Sequence, residues 1–234
     1  MTDFLVKVDR STTPASFSFP QPFNVAVPFI DRHIQENRGE QIAIECANET
    51  VTYGVLSEKV NRCGSALLGQ GIAPGERLMM VVKDTPAFFY LFWGAIKAGI
   101  VPVPINTLLR ADDYTFMIEK TACHALCYSS EYMDEIEPAI VKSPHTPHVV
   151  LVEGTSNHQT ISLESVMESA SPELVPFPAT AQNDCFWWGY QNFSKLNKPY
   201  KTFKKIVRGY EPLLINKPSN LKEKTVISLY QGPL

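Results

Sequence analysis

The hydrophobic and polar positions of this chain are most regularly ordered between Glu76 and Ser130, where short apolar runs alternate with longer mixed ones. Arg77–Val82 is an apolar run too short for a helix and is bounded by Gly75 and Asp84, so it predicts a buried strand. Pro86 stands where a first helical residue loses nothing by lacking an N–H, with Asp84 or Thr85 placed to cap the free amides. From Ala87 to Ala98 the helix is apolar nearly all round, which demands cover on more than one side, and Gly99 supplies a left-handed stop. Ile100–Ile105 returns as a strand with Val-Pro-Val-Pro at its centre. Residues two apart in a strand donate toward the same neighbour, so Pro102 and Pro104 silence one edge and mark it as unpaired. A second helix takes Asp112 as its cap and sets Tyr114, Met117 and Ile118 on one face. Cys123–Tyr128 closes the unit as a third strand. This alternation predicts an α/β fold: a mostly parallel sheet, partly doubly wound, with right-handed crossovers and flanking helices.

The flanks are read by the same periodicities. Residues 1–22 are rich in Pro, Ser and Thr and predict an extended, poorly ordered lead-in. Asn24 is expected to cap a helix running to about Arg38, with Phe29, Ile30, His33 and Ile34 on one face and Gly39 beyond its end. His33 reads there as a partly buried surface histidine rather than a catalytic one. Gln41–Cys46 and Thr50–Tyr53 form a hairpin pattern. Gly54–Leu68 is an amphipathic helix through Leu56, Val60, Cys63 and Leu67, ended by Gly69 and Gly71, with Cys63 as a small core residue. Further on come a helix over Tyr132–Val141 interrupted near Pro138, a strand at His148–Val152 and a short helix at Ile161–Ser169. A proline-rich loop follows at Pro172–Pro178, then an apolar strand at Asp184–Trp188.

Composition narrows the class. With 234 residues, 44% hydrophobic and 19% charged, the chain has ample material for a globular core. It shows no basic-then-apolar leader and no run of membrane-spanning length, so a soluble, cytoplasmic protein without a membrane partner is expected. Five scattered cysteines, an odd number, argue against a disulfide framework. The net charge of −3 conceals an asymmetry: residues 1–188 hold 12 basic and 22 acidic side chains, residues 189–234 the remaining 9 and 2. The expected organisation is a lead-in at 1–22, one domain at 23–188, and a poorly ordered basic tail at 189–234.

Candidate chemistry is sparse. Cys123-His124-x-x-Cys127 offers metal-ligand residue types, yet in a strand the two cysteines lie about 13 Å apart, too far for one zinc ion. His145-x-x-His148 with His158 spans a loop and the strand after it, a weak metal pattern. No nucleophile elbow, H-E-x-x-H, phosphate-loop lysine motif or G-x-G-x-x-G occurs.

Longer stretches carry a resemblance. FNVAVPFIDRH (Phe23–His33), VTYGVLSEKVNRCGSALLGQGIAPGERL (Val51–Leu78), FWGAIKAGIVPVPINTLLRADDYTFMIE (Phe92–Glu119) and DCFW (Asp184–Trp187) resemble the N-terminal portion of the adenylate-forming acyl-CoA synthetases. Asn106-Thr107-Leu108-Leu109 and Asp112-Asp113-Tyr114 resemble the benzoate-CoA ligases within them. Val55 departs from the glutamate that commonly completes the capping box begun by Thr52, which weakens a helix start. The resemblance implies two half-reactions in a complete enzyme. An aromatic or acyl carboxylate attacks the α-phosphate of ATP with Mg2+ present, and CoA then displaces AMP. Relatives cradle the phosphates in a Ser/Thr/Gly-rich loop ending Pro-Lys-Gly, directly after the strand matching Asp184–Trp187.

Here the chain departs. From Trp188 it reads WGYQNFSKLNKPYKTFKKIVRGYEPLL, with Gly189 the only glycine before Gly209, and Lys198-Pro199 in reversed order. No catalytic, cofactor-binding or metal-binding residue is therefore assigned, and this chain is expected to bind no cofactor and to be inactive alone. A shifted reading frame or misjoined segment after residue 188 is the simplest account. The rival is a selected basic amphipathic helix, with Phe193, Leu196, Tyr200, Phe203 and Ile206 opposite Lys195, Lys198, Lys201, Lys204, Lys205 and Arg208. Pro199 inside that run costs about 3 kcal/mol, so neither a nucleic-acid nor a membrane partner is expected. Uncovered apolar faces leave two further expectations, self-association and a non-catalytic binding or dimerising module.

Overall fold

The computed structural model describes residues 7–18, 20–46, 49–155 and 160–178. Two small antiparallel pairs come first, β1 (Lys7–Asp9) with β2 (Ser16–Ser18) and β3 (Ile42–Cys46) with β4 (Glu49–Thr52). A π-helical turn, Val27–Asp31, runs into a short α1 (Arg32–Gln35) between them. That helix stops short of Arg38 because Asn37 adopts a left-handed backbone, φ 56°. Asn24 Oδ1 accepts from Ala26 N at 3.0 Å where the turn begins, and its Nδ2 also reaches across the domain. His33 is buried, with its ring stacked on Tyr53 at 3.6 Å between centroids.

The main body alternates strand and helix as the pattern requires. After α2 (Tyr53–Gly69) come β5 (Arg77–Val81), α3 (Pro86–Lys97), β6 (Val101–Pro104), α4 (Ala111–Thr121) and β7 (Ala125–Ser129). A 3-10 turn, Ser130–Tyr132, leads into α5 (Met133–Lys142), then β8 (Val149–Glu153), β9 (Ile161–Ser162) and α6 (Leu163–Ser169). The five strands β6-β5-β7-β8-β9 form one sheet in that order, parallel throughout. The chain thus steps from β5 outward to β6, then back past β5 to β7, the arrangement of a doubly wound sheet.

Side-chain parity in the strands divides the core in two. Leu78, Met80 and Val82 face α2 and α3, with Ala125, Cys127 and Leu151 from the neighbouring strands. Met79 and Val81 face α4 and α5 with Val103, Leu126, Tyr128 and Val152. Both faces are covered, which is why these strands read as continuous apolar runs.

Local capping differs from expectation in instructive ways. Thr52 Oγ1 accepts from Val55 N at 3.3 Å, so α2 keeps its cap despite the valine. Thr85 holds the N-cap position of α3, but its side chain makes no cap bond. On α4 the caps are Asp113, accepting from Arg110 N at 3.3 Å, and Glu135, accepting from Ala111 N at 2.7 Å; Asp112 instead pairs with Lys142. Pro138 does not interrupt α5, because Ile136 and Ala139 anchor that helix in the core on either side of the lost bond. Ile161–Ser162 joins the sheet edge before α6 begins, rather than forming its first turn.

At the other edge, Val101 N donates to Glu76 O and Ile105 N to Met80 O, each at 2.8 Å. The odd-numbered residues of β6 thus face β5. Pro102 and Pro104 occupy the outward positions, where their missing N–H groups break no ladder bond. The expected strand at Asp184–Trp188 and the basic tail lie outside the described residues.

Candidate functional site

In a doubly wound sheet the crevice for ligands opens beyond the carboxyl ends of the strands where the order reverses. Here that place is between β5 and β7, walled by the residues after β5, β6 and β7. Lys83 follows β5. Its backbone N–H donates to Ser129 Oγ at the end of β7, 3.0 Å away, and its Nζ pairs with Glu131 at 3.0 Å. Hydrogen bonding to Glu131 raises the Lys83 pKa, and the same bond holds the Glu131 carboxyl below its usual range. The Tyr132 pKa is raised chiefly by burial. Asn106 accepts from Leu108 N at 2.9 Å through its side chain, and from the Tyr114 hydroxyl at 3.0 Å through its carbonyl. The motifs Asn106–Leu109 and Asp112–Tyr114 are thereby joined into one turn-and-helix unit at the crest, with Leu108 79% exposed at its tip.

This crest is closed upon itself. The Lys83 cation is committed to Glu131, and α3 begins with Pro86, which offers no amide to an anion. Thr85 Oγ1 is a buried hydroxyl without a hydrogen-bond partner among the described residues. Among the described residues no three His, Cys, Asp or Glu side chains gather as metal ligands. Among the described residues, the crest side chains therefore do not fit a nucleoside triphosphate with its Mg2+.

Cys123, His124, His145 and His148 lie at the amino ends of β7 and β8, opposite the crest, and Cys127 lies within β7. His124 pairs with Glu76 at 2.9 Å and packs on His148, with ring centroids 4.8 Å apart. His145 Nε2 stands 2.8 Å from the Cys123 carbonyl. Cys123 and Cys127 are buried, and burial pushes both thiols upward, disfavouring the thiolate a metal needs. His158 lies outside the described residues. Sequence reasoning missed Lys83, Glu131 and Tyr132, and read Thr107 only as part of a motif. Their signal was positional, each following the end of a parallel strand or lying in the turn beside one.

The crest and its motifs have known counterparts. The chain is 36% identical over 170 residues to the 4-hydroxybenzoate--CoA/benzoate--CoA ligase of Rhodopseudomonas palustris, covering 73% of this chain and 31% of that one. It is 33% identical over 180 residues to the benzoate--CoA ligase of Thauera aromatica, covering 76% and 34%. A solved benzoate CoA ligase from Burkholderia xenovorans LB400 matches 71% of this chain and 32% of its own at 30% identity, with a TM-score of 0.59. The chain spans about a third of the length of the curated relatives it matches. No helix among the described residues is long and apolar enough to cross a membrane. Residues 30–190 match the family described as AMP-binding enzyme, and with that match the parallel sheet, its flanking helices and the crest motifs have one explanation: the chain belongs to that family.

Proposed function

We propose that this chain supplies the N-terminal scaffold of a cytoplasmic aryl-CoA ligase of the benzoate type. The complete reaction converts a carboxylic acid, ATP and CoA into acyl-CoA, AMP and pyrophosphate. The observation that carries this reading is the family match over residues 30–190 together with 36% identity to a ligase named for benzoate and 4-hydroxybenzoate. Residues 23–188 are taken as one domain and 189–234 as a separate basic segment, a division supported by the change of charge near residue 188. No residue of this chain is assigned to catalysis, to the cofactors or to a metal.

Two measurements test the reading. In a chimera, residues 23–187 of this chain replace the matching part of the Rhodopseudomonas relative, and benzoate-dependent ATP–pyrophosphate exchange is expected to survive. A folded chimera without that exchange would sink the ligase reading. The chain by itself is expected to show only background exchange, and activity from it alone would sink the scaffold role. Self-association is supported by the row Phe88, Phe89, Phe92 and Trp93 on α3, only partly covered by the core it packs against. Sedimentation equilibrium should show a dimer or larger species, and a monomer at all concentrations would remove that part of the proposal. Neither a nucleic-acid nor a membrane partner belongs to it.

A further inference from the structure

After α6 the chain runs back across the paired helices α2 and α3 as a strap. Arg62 Nη1 donates to Ala170 O at 2.7 Å, and Asn61 Nδ2 to Pro172 O at 2.8 Å. Two apolar side chains of the strap seat where glycines leave room. Leu174 lies over Gly64 and Phe177 over Gly99, where an added Cβ would stand 2.5 Å from Phe177 Cγ. The Phe177 N–H then donates to the Lys97 carbonyl at 2.8 Å.

Asn24 closes this arrangement from the other end of the domain. Its Nδ2 lies 3.1 Å from Ile96 O, 3.2 Å from Lys97 O and 3.0 Å from Phe177 O, while its Oδ1 accepts from Ala26 N at 3.0 Å. The side chain is 3% exposed, so these bonds are shielded from water. A second tie runs beneath it. Lys97 Nζ bonds Asp31 at 2.6 Å and Asn61 Oδ1 at 2.7 Å, and Asn61 in turn holds Pro172. Segments far apart in sequence thus share one buried polar knot and two glycine notches.

We infer that the entry segment 23–31 and the strap 170–177 form one cooperative latch, with Asn24 as its coupling residue. Coupling of this kind is reciprocal: loosening either segment must loosen the other by the same factor. Both segments lie outside the five-stranded sheet and are held by apolar seats on α2 and α3 (Phe23, Val25 and Ala26 against Ile96; Leu174 and Phe177 over glycines) together with the polar knot, so the latch opens without unfolding the strands. The contacts carry this inference independently of the ligase reading.

Native-state hydrogen exchange on the full chain tests it. In the wild type, amides of 170–177 should exchange more slowly than an open loop and faster than those of β5 and β7. Asn24→Ala should speed exchange over 170–177 roughly tenfold, the effect of losing one or two shielded bonds. Phe177→Ala should speed exchange over 24–31 by a similar factor, with β5 and β7 unchanged in both variants. The latch is overturned if Phe177→Ala leaves 24–31 at the wild-type rate, or if the sheet accelerates together with the two segments. It is equally overturned if 170–177 already exchanges as an open loop in the wild type. Should Asn24→Ala fail to fold, the Phe177→Ala comparison decides alone.

Discussion

Replacing Gly94 by alanine adds one methyl group where α2 and α3 touch backbone to backbone. The new Cβ would stand 2.9 Å from Gly64 N, 2.9 Å from Val60 O and 3.0 Å from Cys63 Cβ. Two of these three neighbours are main-chain atoms that no rotamer change can move aside, so the helices must separate by a few tenths of an ångström. Overpacking of this kind costs about 1–3 kcal/mol, against which alanine returns about 1 kcal/mol of helix propensity. A net loss of up to about 2 kcal/mol is expected. Gly69, the last residue of α2, is the matched control, since a Cβ there meets nothing within 4 Å. Gly69→Ala should collect only the favourable propensity, a gain of less than about 1 kcal/mol. Urea unfolding followed by circular dichroism reads both variants. With a slope of about 2 kcal/mol per molar, the Gly94→Ala midpoint should fall by up to about 1 M while Gly69→Ala rises slightly. A Gly94→Ala midpoint at or above wild type, or an equal fall in Gly69→Ala, would refute the close-approach reasoning.

Three further outcomes are expected. Lys97→Met should cost about 3 kcal/mol, because Lys97 and Asp31 side chains are only 4% and 16% exposed and the carboxylate loses its partner; Asp31→Asn added to it should restore part of the loss in the same urea assay. The Lys83–Glu131 pair should give a small pH dependence. Glu131 is lowered on folding, so its contribution is present above its ordinary pKa of 4.5 and is lost as pH falls through its depressed folded value. With side chains 39% and 49% exposed, solvent screening holds that contribution under about 1 kcal/mol, and Lys83→Met should flatten this part of the stability–pH curve; an unchanged acid limb would contradict the assignment. Among the four described cysteines, Cys46 is exposed whereas Cys63, Cys123 and Cys127 are buried with pKa values pushed up by burial, so of these four iodoacetamide at pH 8 should label Cys46 first; equal labelling of the four read by mass spectrometry would contradict the burial.

The local order of strands and helices was legible from residue 42 to residue 153 because period-2 and period-3.6 apolar patterns survive in any context that covers both sheet faces. Pro102 and Pro104 announced an edge strand for the same local reason, since a missing N–H is a property of the residue itself. The crest motifs could be located, but not their joining through Tyr114 and Asn106, which depends on where α4 lands relative to β6.

What the sequence determined by itself was therefore the sheet's composition, its parallel sense and its unpaired edge, all consequences of backbone chemistry and side-chain periodicity. Only the tertiary structure decided that Asn24, besides accepting from Ala26 N at the head of its turn, ties distant segments, that Lys97 is a buried ion and that Lys83 is spent on Glu131. Each of these depends on partners 48 to 153 residues away, brought together by helix packing whose distances no local pattern encodes.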